Sequence, residues 1–289
     1  MTNNHSAQLP DNGDIILSRL EARHLEGALK LSQEFSWPYR LEDWQFAANL
    51  GEGLVLERAG EVVGTALWWN YGAEHATAGM IIVTAKVQGT GQGSRLFNAL
   101  LDATQGRIVL LNATAEGLPL YERRGFTPWG KIQQHQAVLT VAPEVAPHSQ
   151  IRPATERDLD AIIAFDERAI GMNRERVVTA LADIGDTLVI AQGETLLGYA
   201  IARKFGRGHV IGPVAANNTD DAKHLIRAHL AKLGGQFVRM DVYAEDGLSP
   251  FLQSFGLPLV SEVVSMVRGD LPRPVAPAHM YAVSNQSLS

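Results

Sequence analysis

The sequence predicts an α/β protein of two tandem domains that share one fold, each a mixed sheet flanked by helices. Three observations lead to this prediction. The chain has 289 residues, about twice the ~150 residues of an average domain. Strand and helix patterns alternate along it, which favours a mixed sheet with helices on both faces. Its two halves also share short stretches of similar sequence.

The similarity between the halves indicates a duplication, because three separated features recur at a nearly constant offset. They are a leucine in a charged amphipathic stretch, a glycine in a hairpin turn and a glycine before an apolar residue. We therefore expect the second half, from residue 151 to residue 268, to repeat the elements of the first. The matching pairs are Leu25 and Leu159, Gly60 and Gly193, and Gly125 and Gly256.

Two patterns in the first half are the clearest of its secondary-structure signals. The turn Ala59-Gly60-Glu61 separates two apolar runs and predicts a β-hairpin. Leu96 and Leu100 repeat at helical spacing after a glycine-rich turn and predict an amphipathic helix. In chain order the predicted elements are a strand at 15–20, helices at 21–32 and 41–50, strands at 53–58, 62–70 and 76–83, a helix at 91–104, a strand at 108–113, a short helix at 118–124 and a strand at 132–141.

Two proline-containing stretches divide the chain. Residues 142–150 read A-P-E-V-A-P-H-S-Q without an apolar period and predict a linker. After Gly269, the residues Pro272, Pro274 and Pro277 argue against regular structure, so the tail is either loose or wraps the body in extended form. The predicted organisation is a first domain at 14–141, a linker at 142–150, a second domain at 151–269 and a Pro-rich tail at 270–289.

Composition excludes several classes of function. The formal net charge is -6, with 25 Lys plus Arg against 31 Asp plus Glu, so we expect no nucleic-acid partner. The lack of cysteine excludes disulfides, thiolate nucleophiles and Cys-ligated metals. The histidines are scattered and no carboxylates have metal spacing, so we expect no metal. The polar N-terminus and the lack of an apolar run of about 18 residues predict a cytoplasmic protein without a membrane partner.

The stretch 81–94 carries the strongest functional signal. The apolar residues Ile81, Ile82 and Val83 run into a turn with three alternate glycines, and this turn opens a helix. The first N–H groups of a helix have no internal partner and, with the helix dipole, form an anion site. Glycines let the backbone approach phosphate oxygens closely. The turn residues are Gln88, Gly89, Thr90, Gly91, Gln92, Gly93 and Ser94.

This turn matches neither of two common phosphate loops. Gly93 is followed by Ser94 and Arg95, whereas a nucleotide P-loop needs Gly-Lys-Ser/Thr. The glycine spacing is G-x-G-x-G, whereas a dinucleotide fingerprint needs G-x-G-x-x-G and an acidic residue downstream. The turn therefore either binds another phosphate-bearing ligand or is a tight connection that binds nothing.

The turn resembles the Gln/Arg-x-x-Gly-x-Gly/Ala loop of the GCN5-related N-acetyltransferases (GNAT). A second stretch, N-A-T-A at 112–115 followed by L-Y-E-R-R-G-F at 120–126, is similar to the family's Asn…Ala…Leu-Tyr-x-x-x-Gly-Phe motif. The motifs stand in the family's order, and the resemblance covers residues 14–141. It implies a mostly antiparallel sheet in each domain.

The second half resembles the degenerate C-terminal domain of tandem GNAT proteins. Its apolar strand at 210–214 is followed by A-A-N-N-T-D-D at 215–221, which contains no glycine. Asp220 and Asp221 at a helix start repel phosphate rather than bind it. We therefore expect one acetyl-CoA site, in the first half.

The resemblance implies roles for the motif residues. Acetyl-CoA is expected to bind through its pantetheine arm to the strand at 81–83, through its pyrophosphate to the turn at 88–94, and through Asn112. A backbone N–H of the strand is expected to polarise the thioester, and Tyr121 to act as general acid for the leaving thiolate. The acetyl group then passes directly to a primary amine of a small molecule or peptide, without an acyl-enzyme.

Several roles have alternatives. Tyr121 is either the acid or a core aromatic, and Asn112 either contacts the ligand or satisfies backbone groups at a strand end. Glu74, His75 and Glu116 are the candidate bases.

Aromatic residues are candidates for the acceptor pocket. The stretch Trp37-Pro38-Tyr39 lies between two predicted helices, where the family builds this pocket. Trp68 and Trp69 are adjacent on a strand and so face opposite sides of the sheet. The alternative function is a non-catalytic acyl-CoA sensor, and the assembly is either a homodimer or a monomer with internal pseudo-symmetry.

Overall fold

The computed structural model describes residues 14–144 and 150–288, and its first half contains the predicted elements in the predicted order. The helix at 41–50 and the strand at 108–113 have the predicted bounds. The elements are β1 (Ile16–Arg19), α1 (Leu25–Glu34), α2 (Leu41–Leu50), β2 (Glu52–Arg58), β3 (Glu61–Tyr71), β4 (His75–Val83), α3 (Gln92–Ala103), β5 (Ile108–Ala113), α4 (Leu118–Glu122) and β6 (Thr127–Val138).

The second half repeats this series, as the sequence predicts, and then adds one strand. A nearly constant offset in residue number relates the first residues of several strands in the two halves. The elements are β7 (Ile151–Pro153), α5 (Leu159–Ile170), α6 (Glu175–Ile184), β8 (Asp186–Gln192), β9 (Thr195–Phe205), β10 (Gly208–Ala216), α7 (Thr219–Lys232), β11 (Phe237–Tyr243), α8 (Ser249–Ser254), β12 (Leu259–Arg268) and β13 (His279–Val283).

The strands join one continuous sheet in which the two halves exchange a strand. Its order is β1-β2-β3-β4-β5-β12-β6-β11-β13-β10-β9-β8-β7. The β4–β5 and β10–β11 pairings are parallel, and the remaining pairings among the described strands are antiparallel. The last strand of each half, β6 or β12, therefore pairs with strands of the other half. The predicted boundary at 142–150 divides the sequence but not the sheet.

The exchange corrects one predicted element. The sequence predicts the last strand of the first half at 132–141, whereas β6 spans Thr127–Val138. The earlier start follows from a partner in the other half, because Thr127 pairs with Val267 and Gly130 with Ser265 of β12.

The helices cover both faces of the sheet. Helices α1, α2, α5 and α6 share one buried cluster on one face, which we call the front face. On the opposite face α3 and α4 pack against strands of the first half, and α7 and α8 against strands of the second. Trp69 belongs to the front cluster and Trp68 to the cluster under α3, so the prediction that they face opposite sides is confirmed.

The tail is the main departure from the sequence prediction. Residues 271–278 are irregular, as the prolines predict, and the Val275 N–H bonds to the Arg168 carbonyl at 2.7 Å. The prediction of irregular structure is wrong for β13, which inserts between β10 and β11, and of the two alternatives for the tail the extended one is observed here. Its apolar side chains, among them Met280 and Ala282, are buried, so burial favours the strand despite the nearby prolines. Residues 145–149 of the predicted linker lie outside the described residues.

Candidate active site

A V-shaped cleft opens between β4 and β5 in the middle of the first half. The strands pair in parallel from His75 with Ile108 to Ala78 with Leu111. Beyond this point β4 continues beside β3, and no pairing with β5 continues. The cleft apex therefore lies at Ala78 and Leu111.

A bulge in β4 lies just beyond the apex. Between Thr65 and Leu67 β3 advances two residues, whereas β4 moves three residues between their partners Ile82 and Gly79. The extra residue is Met80 or its neighbour, and Met80 has φ +50°, which is uncommon for a residue with a side chain. The Thr65 hydroxyl donates to the Met80 carbonyl at 2.8 Å and holds this conformation. Bulges of this kind redirect a strand and are frequent beside active sites.

The glycine-rich turn forms an open cradle at the start of α3. Gly89 has φ +75° and Gly91 has φ +85°, and apart from the adjacent residues no atom lies within 4 Å of an ideal Cβ at either position. The first helical bond runs from the Arg95 N–H to the Gly91 carbonyl at 3.0 Å. Among the described residues, no hydrogen bond of normal geometry joins the preceding backbone N–H groups, from 89 to 94, to a backbone carbonyl. The turn thus combines unpaired donors, a helix N-terminus and open space, which fits a phosphate group.

Side chains fix this turn in place. The Glu34 carboxylate accepts from the Thr84 hydroxyl at 2.8 Å and from the Ala85 N–H at 2.9 Å. The Gln88 amide donates to the Val83 carbonyl at 2.9 Å, so here it braces the turn rather than projecting toward a ligand. The role of Glu34 was not predictable from the sequence, because this residue lies at the end of α1, far along the chain from the turn.

Tyr121 lies on α4 in the cluster that contains Ala78 and Ala113 from the two diverging strands. Its ring centroid is 4.9 Å from that of Phe97, and burial raises the pKa of its hydroxyl to about 12. An ideal Cβ at Gly117 would come within 2.8 Å of the Tyr121 ring. Gly117, just before α4, therefore leaves the space that the Tyr121 ring occupies. The Tyr121 ring is part of the core, and this does not exclude the predicted acid role of its hydroxyl.

The end of the tail reaches the apex of the cleft. The Asn112 amide donates to the Gln286 carbonyl at 2.9 Å, and its oxygen accepts from the Ser265 hydroxyl at 2.7 Å. An ideal Cβ at Gly79 would lie 2.8 Å from the Ser287 Cα. Residues 286–288 therefore pass between β4 and β5 on the front face. This contact was not apparent from the sequence.

Two tyrosines hold the same segment from the front face. The Tyr39 hydroxyl lies 2.9 Å from Ser287 Oγ, and the Tyr71 hydroxyl donates to the Leu288 carbonyl at 2.6 Å. The predicted acceptor stretch 37–39 thus lies next to the apex, with the Trp37 ring 6.2 Å from that of Tyr39. Trp68 and Trp69 are both buried in the core.

The corresponding cleft of the second half is filled. β10 and β11 pair only at His209 and Val210 and then diverge around β13. Gly212, the counterpart of Gly79 in the second half, is in close contact with the Val283 backbone. At the start of α7 the Asn218 side chain accepts from the Asp221 N–H at 2.9 Å. Neither the cleft nor the helix start resembles the open cradle of the first half.

The candidate bases do not converge on the apex. His75 is the first residue of β4, and Glu74 precedes it. At the usual rise per strand residue, His75 lies about 13 Å from Gly79, which is next to the apex. Glu116 is exposed, and its own backbone N–H and the Thr114 hydroxyl lower the pKa of its carboxyl group. A carboxylate with a lowered pKa is a weaker base.

Two stretches of the chain match family models described as acetyltransferase (GNAT) domains. They span residues 49–128 and 162–282, together more than half of the chain. The chain belongs to the GNAT family. The matches lie one in each half, which confirms the tandem GNAT arrangement that the sequence predicts, and the first of them includes the open cradle.

Similar proteins align with this GNAT protein over nearly their whole length. "Uncharacterized N-acetyltransferase YitH" of Bacillus subtilis is 25% identical over 278 residues, which cover 94% of this chain and 98% of the relative. A Pyrococcus horikoshii protein, provisionally described as an acetyltransferase, is 18% identical with a TM-score of 0.80 and full coverage of both chains. A GCN5-related N-acetyltransferase of Sphaerobacter thermophilus is 18% identical with a TM-score of 0.63, covering 90% of this chain and 96% of that one. The two structures support the fold.

Membrane-spanning helices and metal clusters are both absent from the described part of this GNAT protein. Its helices are too short or too polar to cross a bilayer, and the longest of them, α7, has 14 residues. No group of three or more His, Cys, Asp or Glu residues in the same part is arranged to hold a metal ion.

Proposed function

We propose that this GNAT protein transfers an acetyl group from acetyl-CoA to a primary amine, with one coenzyme site in its first half. The observation that carries the proposal is the open cradle at the start of α3, where unpaired N–H groups meet open space at Gly89 and Gly91. In the second half β13 fills the cleft and Asn218 caps α7. Membership of the family supports the same conclusion.

The free side of β4 supports binding of the pantetheine arm. Beyond the apex β4 pairs with β3 on one side, and no described strand pairs with it on the cleft side. A chain with amide groups can bond to such an edge as an added strand does. Ile81, Ile82 and Val83 are the proposed contacts, and the N–H groups at 89–94 the proposed pyrophosphate contacts.

Bound acetyl-CoA supplies the acetyl group as a thioester. The amine nitrogen forms the new bond to the acetyl carbon as the carbon–sulfur bond breaks, the amine loses a proton and the sulfur gains one. A backbone N–H beside the bulge at Met80 is the proposed donor to the carbonyl oxygen, where negative charge grows during attack.

Tyr121 is the proposed donor to the departing sulfur. Its pKa of about 12 keeps the hydroxyl protonated at neutral pH. A free thiol has a pKa near 8.5, so full proton transfer from Tyr121 is uphill by roughly 5 kcal/mol. We therefore propose that Tyr121 stabilises the sulfur through a hydrogen bond and that solvent supplies the proton.

The alternative function is a non-catalytic acyl-CoA sensor, and one observation favours it. Residues 286–288 lie at the apex, with Ser287 against Gly79, on the front face next to the predicted acceptor stretch 37–39. Thiol release with a panel of primary amines separates the two functions. An enzyme releases coenzyme A faster with at least one amine than without, whereas a sensor binds acetyl-CoA and shows no acceleration.

The coenzyme site is tested by Gly91→Glu. The new side chain adds bulk and a negative charge to the cradle, so we expect the affinity for acetyl-CoA, measured by calorimetry, to fall at least tenfold. Gly193→Glu is the matched control, because Gly193 also has a positive φ (+61°) and open space around it but lies in the second half. The control should bind normally. Normal affinity in Gly91→Glu would remove the proposed site.

A further inference from the structure

Beside the cleft apex, a cavity lies on the front face of the sheet. It measures about 290 Å³ and includes Asn112 at the end of β5. Most of its wall is apolar, with Met172 after α5 and Met280 on β13 among its residues. Trp129 and Tyr243 also form part of the wall, with ring centroids 5.7 Å apart. The volume is at the lower end of the range for small-molecule sites.

One end of this cavity is acidic. Glu245 and Asp246, on the turn after β11, both line it. Asp246 Oδ1 lies 2.8 Å from His279 Nε2, whereas Oδ2 is buried and has no hydrogen-bond partner among the described residues. Even with His279 protonated, these three side chains carry a net negative charge. A buried carboxylate oxygen without a partner is costly, and a bound cation would remove that cost.

The acidic end and the apex are separated by two strand spacings. Ser265 of β12 pairs with Asn112 on one side and with Gly130 of β6 on the other. Neighbouring strands lie about 4.8 Å apart, so Asn112 and Gly130 are about 10 Å apart. Glu245 Oε1 lies 3.5 Å from an ideal Cβ at Gly130. The Glu245 carboxylate is therefore on the order of 10 Å from the apex.

We propose that this cavity holds the acceptor and that the acceptor is a diamine with an apolar spacer, an inference that rests on the proposed function. The amine that attacks must be neutral, and a carboxylate beside it would favour its charged form. The acidic end therefore binds a second, non-reacting ammonium group. The reacting amine lies near Asn112, about 10 Å away.

The middle of the cavity selects the spacer. Its apolar wall makes burial of alkyl carbon favourable, whereas a charge or hydroxyl there loses its hydration without a partner. Carboxylate-bearing acceptors are repelled by Glu245 and Asp246. These properties favour an alkyl diamine over an amino acid or a polyamine with a central charge.

The test compares 1,8-diaminooctane with octylamine, which has the same chain and one ammonium group. Binding of each amine is measured by calorimetry without acetyl-CoA, and KM is then measured from thiol release. We expect the diamine to bind about tenfold more tightly, as a charge-assisted contact implies. Asp246→Asn and Glu245→Gln should each reduce this preference severalfold. Glu262→Gln, an exposed carboxylate on β12 outside the cavity, should keep it.

Each outcome has a defined meaning. Equal binding of the two amines by the unmodified protein, or a full preference in both Asp246→Asn and Glu245→Gln, overturns the inference. Normal acetyl-CoA affinity in these variants shows that they are folded and leaves the proposed function standing. Failure of the unmodified protein to bind acetyl-CoA overturns the proposed function and the acceptor role together, whatever the amine result.

Discussion

Gly79 is the residue at which the tail comes closest to β4. A methyl group there would lie 2.8 Å from the Ser287 Cα, which is too close for either backbone to accommodate without moving. We expect Gly79→Ala to lower the free energy of unfolding by about 1–3 kcal/mol, as overpacking does elsewhere. Urea unfolding measures this change.

Gly130→Ala is the matched control for that substitution. Gly130 also lies in a strand, but the nearest atom to its ideal Cβ is 3.5 Å away. Its effect on stability should be small. An equal loss in both variants would mean that the strand position, rather than the tail, determines the cost.

The Tyr121 hydroxyl can be removed while its ring is kept. Because the ring packs in the core and only the hydroxyl is assigned to the sulfur, Tyr121→Phe should reduce kcat about tenfold or more and leave the acetyl-CoA affinity nearly unchanged. Tyr281→Phe, which removes a hydroxyl near Thr219 in the second half, should have normal kinetics. Steady-state rates and calorimetry provide the two measurements, and an unchanged kcat in Tyr121→Phe would contradict the assignment.

For individual residues, the sequence predicts a role only where the pattern that indicates it lies in neighbouring positions of the chain. The turn at 88–94 was recognisable because alternate glycines between a strand and a helix have a direct physical meaning. The contacts of Asn112 were not predictable, because its partners Gln286 and Ser265 lie in the other half of the chain. The bulge at Met80 was not predictable either, because neither the composition nor the residue spacing around it indicates a bulge.

Among the elements, α7 contains a histidine whose titration affects stability. His229 Nε2 bonds to the Ala200 carbonyl at 3.1 Å, and Nδ1 is 3.8 Å from Asp186, too far for a hydrogen bond. Burial therefore dominates and lowers the pKa of His229 to about 4, with Lys232 acting in the same direction and Asp186 against it. The unfolded histidine, with a pKa near 6.5, binds its proton first.

The sign of the effect follows from this difference. Between pH 6.5 and pH 4 the unfolded chain holds a proton at His229 that the native chain lacks, so acid lowers stability. The contribution amounts to about 2 kcal/mol between pH 7 and pH 5. His229→Gln should lose that much less over the same interval, as measured by urea unfolding at both pH values. A loss equal to that of the unmodified protein would show that other groups account for the acid sensitivity.

Most elements were predictable from periodicity and turn chemistry, and those that were not share one cause. The start of β6 and the whole of β13 depend on partners far away in the chain, β12 for the first and β10 and β11 for the second. Pro272, Pro274 and Pro277 correctly predict the irregular segment before β13. They give no information about the edges of β10 and β11 with which β13 pairs.

For the whole molecule, the exchange of β6 and β12 makes the halves interdependent. Residues 14–141 alone lack β12, so β5 and β6 would each expose an edge and apolar surface to water. We expect this fragment to show no cooperative thermal unfolding by circular dichroism. The control is the full chain cut at a protease site inserted within 145–149, which retains both exchanged strands and should unfold cooperatively.

Residues 279–288 occupy both clefts in succession, first as β13 between β10 and β11 and then as the segment between Gly79 and Asn112. β13, which is held in the filled cleft of the second half, therefore restrains residues 286–288, which lie at the open cleft of the first half. Only Ser284 and Asn285 separate the end of β13 from the segment at 286–288. Substitutions that weaken the pairing of β13 with β10 and β11 are therefore expected to release residues 286–288 and to alter the shape of the open cleft.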